Sequence, residues 1–161
     1  MEKDVAFRLL AEAMSDEKSE VGNQGRQILV VDDDPAICKV LKLMLEYDGH
    51  KVQTVGSGQE ALSLLEQGSF DLVITDFSMP EMRGDALAIA IKQCLPNQPV
   101  VMITSHADVL QAAGNPLTGV DFLIDKPFLL AELREVVACV SPETKKSNAE
   151  EFKMGLRRRP S

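Results

Sequence analysis

The chain has 161 residues, is 45% apolar and 26% charged, and carries a net charge of −8, values that fit one globular domain with tails and a real core. No apolar run approaches the roughly 18 residues of a membrane span, and Met1-Glu2-Lys3-Asp4-Val5 lacks the basic region and apolar core of a signal peptide. The charge is uneven: −2 over residues 1–26, −9 over 27–140 and +3 over 141–161, which disfavours direct DNA binding by the central part, because phosphate attraction needs clustered Lys and Arg.

Residues 3–14 place Val5, Ala6, Leu9, Leu10 and Ala13 at helical spacing, which predicts a short amphipathic helix. It reads either as a docking or self-association element, which leaves a homodimer open, or as a loosely packed terminus. A polar stretch up to about residue 26 follows as a linker. Ile28-Leu29-Val30-Val31 is a strand ending in Asp32-Asp33-Asp34-Pro35, and Pro35 suits the first turn of a helix, where its missing N–H costs nothing. Ile37, Val40, Leu41, Met44 and Leu45 then form one apolar stripe. Lys51–Val55 is a second strand. Ser57-Gly58-Gln59-Glu60 has capping-box spacing and opens a helix with Ala61, Leu62 and Leu65 inward.

Leu72 to Thr75 is a short continuous apolar run, the appearance of a strand buried on both faces in a parallel sheet. It delivers Asp76 to its end, ahead of a loop punctuated by Pro80 and Gly84. A helix is expected from about Asp85 to Cys94, with Leu87, Ile89, Ala90 and Ile91. Val100–Ile103 is a fourth strand, ending in Thr104-Ser105-His106. A weak helix near Asp108 is expected to stop early at Gly114-Asn115-Pro116. Val120 to Asp125 is a fifth strand, ending at Lys126-Pro127. The last helix, about 128–140, turns Leu129, Leu133, Val136, Val137 and Val140 inward, and residues 141–161 read as a flexible, basic tail. Cys38, Cys94 and Cys139 are scattered, odd in number and never in a CxxC pair, so they read as buried thiols of a chain kept in a reducing cytoplasm.

Strands alternating with helices predict an α/β fold, a doubly wound five-stranded parallel sheet with helices on both faces. In such sheets ligand chemistry collects beyond the carboxyl ends of the strands. Asp32 and Asp33, Asp76, Thr104 and Lys126 all stand there. Any one of them alone is an ordinary cap or surface residue; their joint occurrence is not explained by capping. Packed carboxylates raise one another's pKa unless a cation lies among them, and Mg²⁺ is the natural one for oxygen ligands. With a lysine and a threonine on the same cavity, the set can receive a phosphoryl group, with a carboxylate as nucleophile.

These stretches, Ile28–Pro35, Asp71–Pro80 and Asp125-Lys126-Pro127-Phe128, resemble the receiver domain of two-component response regulators, CheY-like in size and with a flavodoxin-like fold, over about residues 27–140. The resemblance implies that Asp76 accepts a phosphoryl group from a sensor histidine kinase or phosphotransfer protein. It also implies that Asp33, Asp76 and the Ser78 carbonyl ligate Mg²⁺, with Asp32 acting through water. Thr104 would contact the phosphoryl oxygens, Lys126 would pair with them across a cis Lys126–Pro127 bond, and Ser78 and His106 would tune dephosphorylation. At the position that usually holds the switch aromatic the chain has Leu123, with Phe122 beside it on the opposite face. The shortened fourth helix directs output to another surface, such as the N-terminal helix.

Three function classes remain. The first is a stand-alone phosphoacceptor, cytoplasmic, with an unidentified downstream protein target and no enzymatic activity beyond self-phosphorylation and autodephosphorylation. The second is a phosphorylation-independent interaction module on the same fold. The third, a flavin carrier or aspartyl phosphatase, is disfavoured by three aspartates where a flavin phosphate would sit and by Ser78 where a phosphatase needs a second acid.

Overall fold

The computed structural model describes residues 25–105 and 117–140. The expected N-terminal helix, His106, the helix near Asp108 with its Gly114-Asn115-Pro116 break, and the tail from Ser141 lie outside the described residues. Within them, β1 (Gln27–Val31), α1 (Pro35–Tyr47), β2 (Lys51–Val55), α2 (Gly58–Gln67), β3 (Leu72–Asp76), α3 (Gly84–Cys94), β4 (Val100–Thr104), β5 (Phe122–Asp125) and α4 (Leu130–Cys139) follow one another. The sheet has the order β2-β1-β3-β4-β5 and every pairing is parallel. The predicted fold class is therefore the observed one.

Local chemistry sets the elements. Asp34 accepts the Ala36 N–H on its side chain at 2.9 Å, with Pro35 in the first turn of α1, satisfying a donor that the helix start leaves free. The Ser57 hydroxyl oxygen accepts from the Glu60 backbone N–H at 3.3 Å at the start of α2. The strand interiors are apolar and buried because helices cover both faces. On one face Ile28, Val30, Ile74, Ile103 and Ile124 pack with Leu41 and Met44 of α1 and Leu133 and Val137 of α4. On the other, Leu29, Val31, Val73 and Met102 pack with Ala61 and Leu65 of α2 and Leu87 and Ile91 of α3.

Two inward assignments shift by one residue. Leu129 precedes α4 as its N-terminal flanking residue and is 44% exposed, whereas Leu130 is buried. In α3 Ala88 is buried with Leu87 and Ile91, and Ile89 is 41% exposed. In both cases the sequence offers consecutive apolar residues, and the helix's rotation about its axis decides which one meets the sheet. The last strand also begins at Phe122 rather than Val120, because Gly119, at φ +86, and a turn occupy the preceding residues.

Gly119 and Gly84 hold backbone crossings that no side chain allows. A Cβ on Gly84 would lie 2.2 Å from the Asp76 carbonyl oxygen, and one on Gly119 would lie 2.8 Å from that of Ala88. The first draws the start of α3 against the end of β3, and the Gly84 N–H donates to the Phe77 carbonyl at 2.9 Å.

Candidate functional site

From β1 the chain passes outward to β2 on one side, and from β3 outward to β4 and β5 on the other. The carboxyl ends of β1 and β3 therefore face a point where connections diverge, the usual position of a ligand crevice in such sheets. Asp32 and Asp33 leave β1 there, and Asp76 ends β3 beside them. Carboxylate oxygens of the three lie within 4.8 Å of one another, with Asp32 buried, Asp76 half-buried and Asp33 exposed.

Each acid is held differently. Asp32 is 5% exposed, and its Oδ1 accepts the Asp34 N–H at 2.9 Å. Burial, with Asp76 and Asp33 close by, pushes its carboxyl up to about 7. Asp76 is also shifted upward, mainly by burial, against the opposing pull of Lys126. Lys126 Nζ donates to Asp76 Oδ1 at 3.2 Å. That lysine is carried by the loop after β5, where its backbone N–H donates to the Thr104 carbonyl at 2.9 Å. The Lys126–Pro127 peptide is cis. Thr104 ends β4, is 1% exposed and lies in register with Asp125. A small crevice beneath the acids is walled by Asp32, Asp76 and Lys126 and floored by Ile37, Ile103 and Phe128.

Asp32, Asp33, Asp76 and Lys126 are thus brought together at one edge, with Thr104 at the neighbouring strand end. Ser78 is exposed on the loop after β3, and His106 lies outside the described residues. Leu123 and Phe122 occupy opposite faces of β5: Phe122 is buried among the α1 and α4 side chains, and Leu123 packs toward the α2 and α3 side. Phe122 therefore does not stand in for an aromatic at Leu123.

The sequence reading missed the loop's own fastening. Arg83 makes a two-pronged contact with Asp85 at 2.8 and 3.2 Å, and its guanidinium sits 5.2 Å from the centre of the Phe77 ring, an attractive cation–ring geometry. The Arg83-x-Asp85 spacing at a helix start was the available signal.

The donor set suits a hard divalent cation: three carboxylates converge, and the most buried of them is shifted upward by burial and by the neighbouring carboxylates. A sequence model described as the response regulator receiver domain matches residues 28–138. The chain is 37% identical over 116 residues to the chemotaxis protein CheY-3 of Vibrio cholerae, covering 70% of this chain and 89% of that one. It is 39% identical over 100 residues to the transcriptional regulatory protein GlrR of Escherichia coli, covering 62% of this chain but spanning only 22% of that relative's length. Among solved structures, the response regulator TrrA of Thermotoga maritima, in complex with Mg²⁺-BeF, superposes with a TM-score of 0.66 at 31% identity, covering 72% of this chain and 99% of that one.

Proposed function

The chain belongs to the response regulator receiver domain family of two-component systems, whose general role is that of a phosphoacceptor, and on that premise we propose that Asp76 is the residue that accepts the phosphoryl group. The observation that carries this reading is the Lys126 ammonium 3.2 Å from Asp76 in a group of three converging carboxylates.

The donor is a phosphohistidine of a sensor histidine kinase or phosphotransfer protein. An Asp76 carboxylate oxygen attacks the phosphorus, the phosphorus–nitrogen bond breaks, and the imidazole leaves with that electron pair. Asp76 must be ionised to attack, and the ammonium of Lys126 opposes the upward shift that burial imposes on its carboxyl. Lys126 and the Thr104 hydroxyl then face the phosphoryl oxygens and offset their charge. Asp32, Asp33 and Asp76, with the Ser78 carbonyl, would hold Mg²⁺, which supplies neutralisation of the acids and of the transferred group. The Mg²⁺-BeF complex of TrrA supports this assignment. Ser78 and His106 lie two residues beyond Asp76 and Thr104 and tune water access to the acyl phosphate.

Residues 27–140 form the receiver unit, with 1–26 and 141–161 as appended segments. The charge of −9 on that unit favours a protein partner over nucleic acid. Among the described residues no helix is long and apolar enough to cross a membrane. With Leu123 at the switch position, output does not rest on an aromatic rotation there. Acetyl phosphate with Mg²⁺ should add the mass of one phosphate to the wild type and none to Asp76→Asn. Equal labelling of the two overturns the assignment.

A further inference from the structure

Thr75 precedes Asp76 in β3 and is 0% exposed, in a strand whose other buried residues, Leu72, Val73 and Ile74, are aliphatic. A buried hydroxyl costs free energy unless it is hydrogen-bonded. Here the Thr75 hydroxyl donates to the backbone carbonyl of Asp76 at 2.9 Å, within the normal range for such a bond. Threonine is β-branched and has few χ1 choices, so the buried hydroxyl is held at that carbonyl.

We propose that Thr75 is a positioning residue for the phosphoryl acceptor: its hydroxyl fixes the backbone of Asp76 and, through it, the direction in which the carboxylate leaves the strand. Asp76 stands where the sheet gives it less support. The last pair between β1 and β3 is Val31 with Thr75, so Asp76 lies one residue beyond it and is paired only to Ile103 of β4. Its carbonyl faces the start of α3, where a Cβ on Gly84 would come within 2.2 Å. The Gly84 N–H donates to the Phe77 carbonyl instead. The hydroxyl of the preceding residue supplies the Asp76 carbonyl with a donor from within the strand.

The demand on that backbone comes from the carboxylate it carries. One oxygen meets Lys126 Nζ at 3.2 Å, and the group also lies within 4.8 Å of carboxylate oxygens of Asp32 and Asp33. Those neighbours come from other elements, so a turn of the Asp76 backbone misaligns its carboxylate with all of them at once. Valine at position 75 would put a methyl where the hydroxyl is and leave the buried end of the carbonyl without that donor. Thr75 acts only through Asp76, and the inference rests on the reading of Asp76 as the acceptor.

The test uses the full chain, acetyl phosphate and Mg²⁺, with two pairs that differ by a hydroxyl: wild type against Thr75→Val, and Thr75→Ser against Thr75→Ala. In each pair the member without the hydroxyl should label Asp76 about tenfold more slowly, the scale seen when a group that orients a ligand is removed. Thermal midpoints are measured on the same samples. Valine keeps the shape of threonine whereas serine loses a buried methyl, so Thr75→Ser is expected to be no more stable than Thr75→Val and yet faster. A role in packing alone moves rate and stability together and cannot produce that crossing. If valine prevents folding, the serine and alanine pair decides the matter. Equal rates within a folded pair, or rates that simply follow the thermal midpoints, overturn the inference and leave Asp76 as the acceptor. A wild type that takes no label at Asp76 overturns both.

Discussion

Lys126 and Asp76 are 50 positions apart in sequence, and their side chains meet at 3.2 Å across the end of the intervening strand β4. Both are mostly buried, with side chains 17% and 11% exposed, so the contact is screened less than a surface ion pair. It also ties β3, which carries Asp76, to the loop after β5 at the far side of the sheet.

Removing the ammonium should therefore impair the chemistry more than the fold. Lys126→Ala is expected to slow labelling of Asp76 by acetyl phosphate by about a hundredfold, the usual effect of losing one charge-stabilising donor. Single-turnover labelling followed by mass spectrometry measures it. Labelling at the wild-type rate would show that Lys126 does not face the phosphoryl group.

The acid group makes the metal-free protein pH-sensitive in a defined direction. Asp32 is displaced from 3.8 to about 7 in the folded state, first by burial. A raised folded value stabilises below the unfolded pKa, and that contribution is lost as pH rises toward 7. Asp76, also raised, acts in the same sense. Metal-free wild type should thus lose stability from about pH 4 to pH 7, by up to about 4 kcal/mol from Asp32. Asp32→Asn should be more stable than wild type at neutral pH and flatter across the range. A wild-type thermal midpoint that is level over this range, in EDTA, counts against the buried acid.

Magnesium should remove that penalty selectively. At neutral pH, millimolar Mg²⁺ is expected to raise the thermal midpoint of the wild type and to have little effect on Asp33→Asn or Asp76→Asn, because ligand binding to the folded state stabilises by mass action. An equal rise in all three would place the ion elsewhere.

At the opposite end of the sheet His50 carries the reverse dependence. Its Nδ1 accepts the Arg26 N–H at 3.2 Å, and burial lowers its pKa, with Arg26 acting in the same direction and Asp48 against. A lowered folded value gives stability that is present above about 6.5 and lost as pH falls through it. The wild type's stability relative to His50→Gln should shrink as the pH falls below about 6.5, read as the difference in urea midpoints. A constant difference would mean that the imidazole does not titrate against the fold.

Two glycines make a controlled pair. Gly84→Ala puts a methyl 2.2 Å from the Asp76 carbonyl oxygen and 3.1 Å from Phe77 Cα. The obstruction is the Asp76–Phe77 backbone itself, which cannot swing aside like a flexible side chain, so a loss of about 1–3 kcal/mol is expected, with slower labelling of the displaced Asp76. Gly56→Ala meets nothing within 4 Å and should be neutral or slightly stabilising, by up to about 1 kcal/mol. Chemical denaturation of both variants separates the steric effect from the generic one.

The order of strands and helices, the Asp34–Pro35 start of α1 and the acids at the strand ends were legible in the sequence alone. Each follows from short-range properties: apolar runs, capping geometry and a residue's place relative to a strand terminus. Phe122 and Leu123 facing opposite ways was equally legible, since alternation is a property of the strand itself. The tertiary structure decided what depends on neighbours distant in sequence. It chose Leu130 over Leu129 and Ala88 over Ile89, because helix rotation against the sheet is set by packing. It buried Asp32 while leaving Asp33 exposed. It joined Arg26 to Val137, 111 positions away. A single chain segment encodes which groups it offers; how deeply each is desolvated, and so how strongly its proton is held, is fixed only when the other strands and helices close around it.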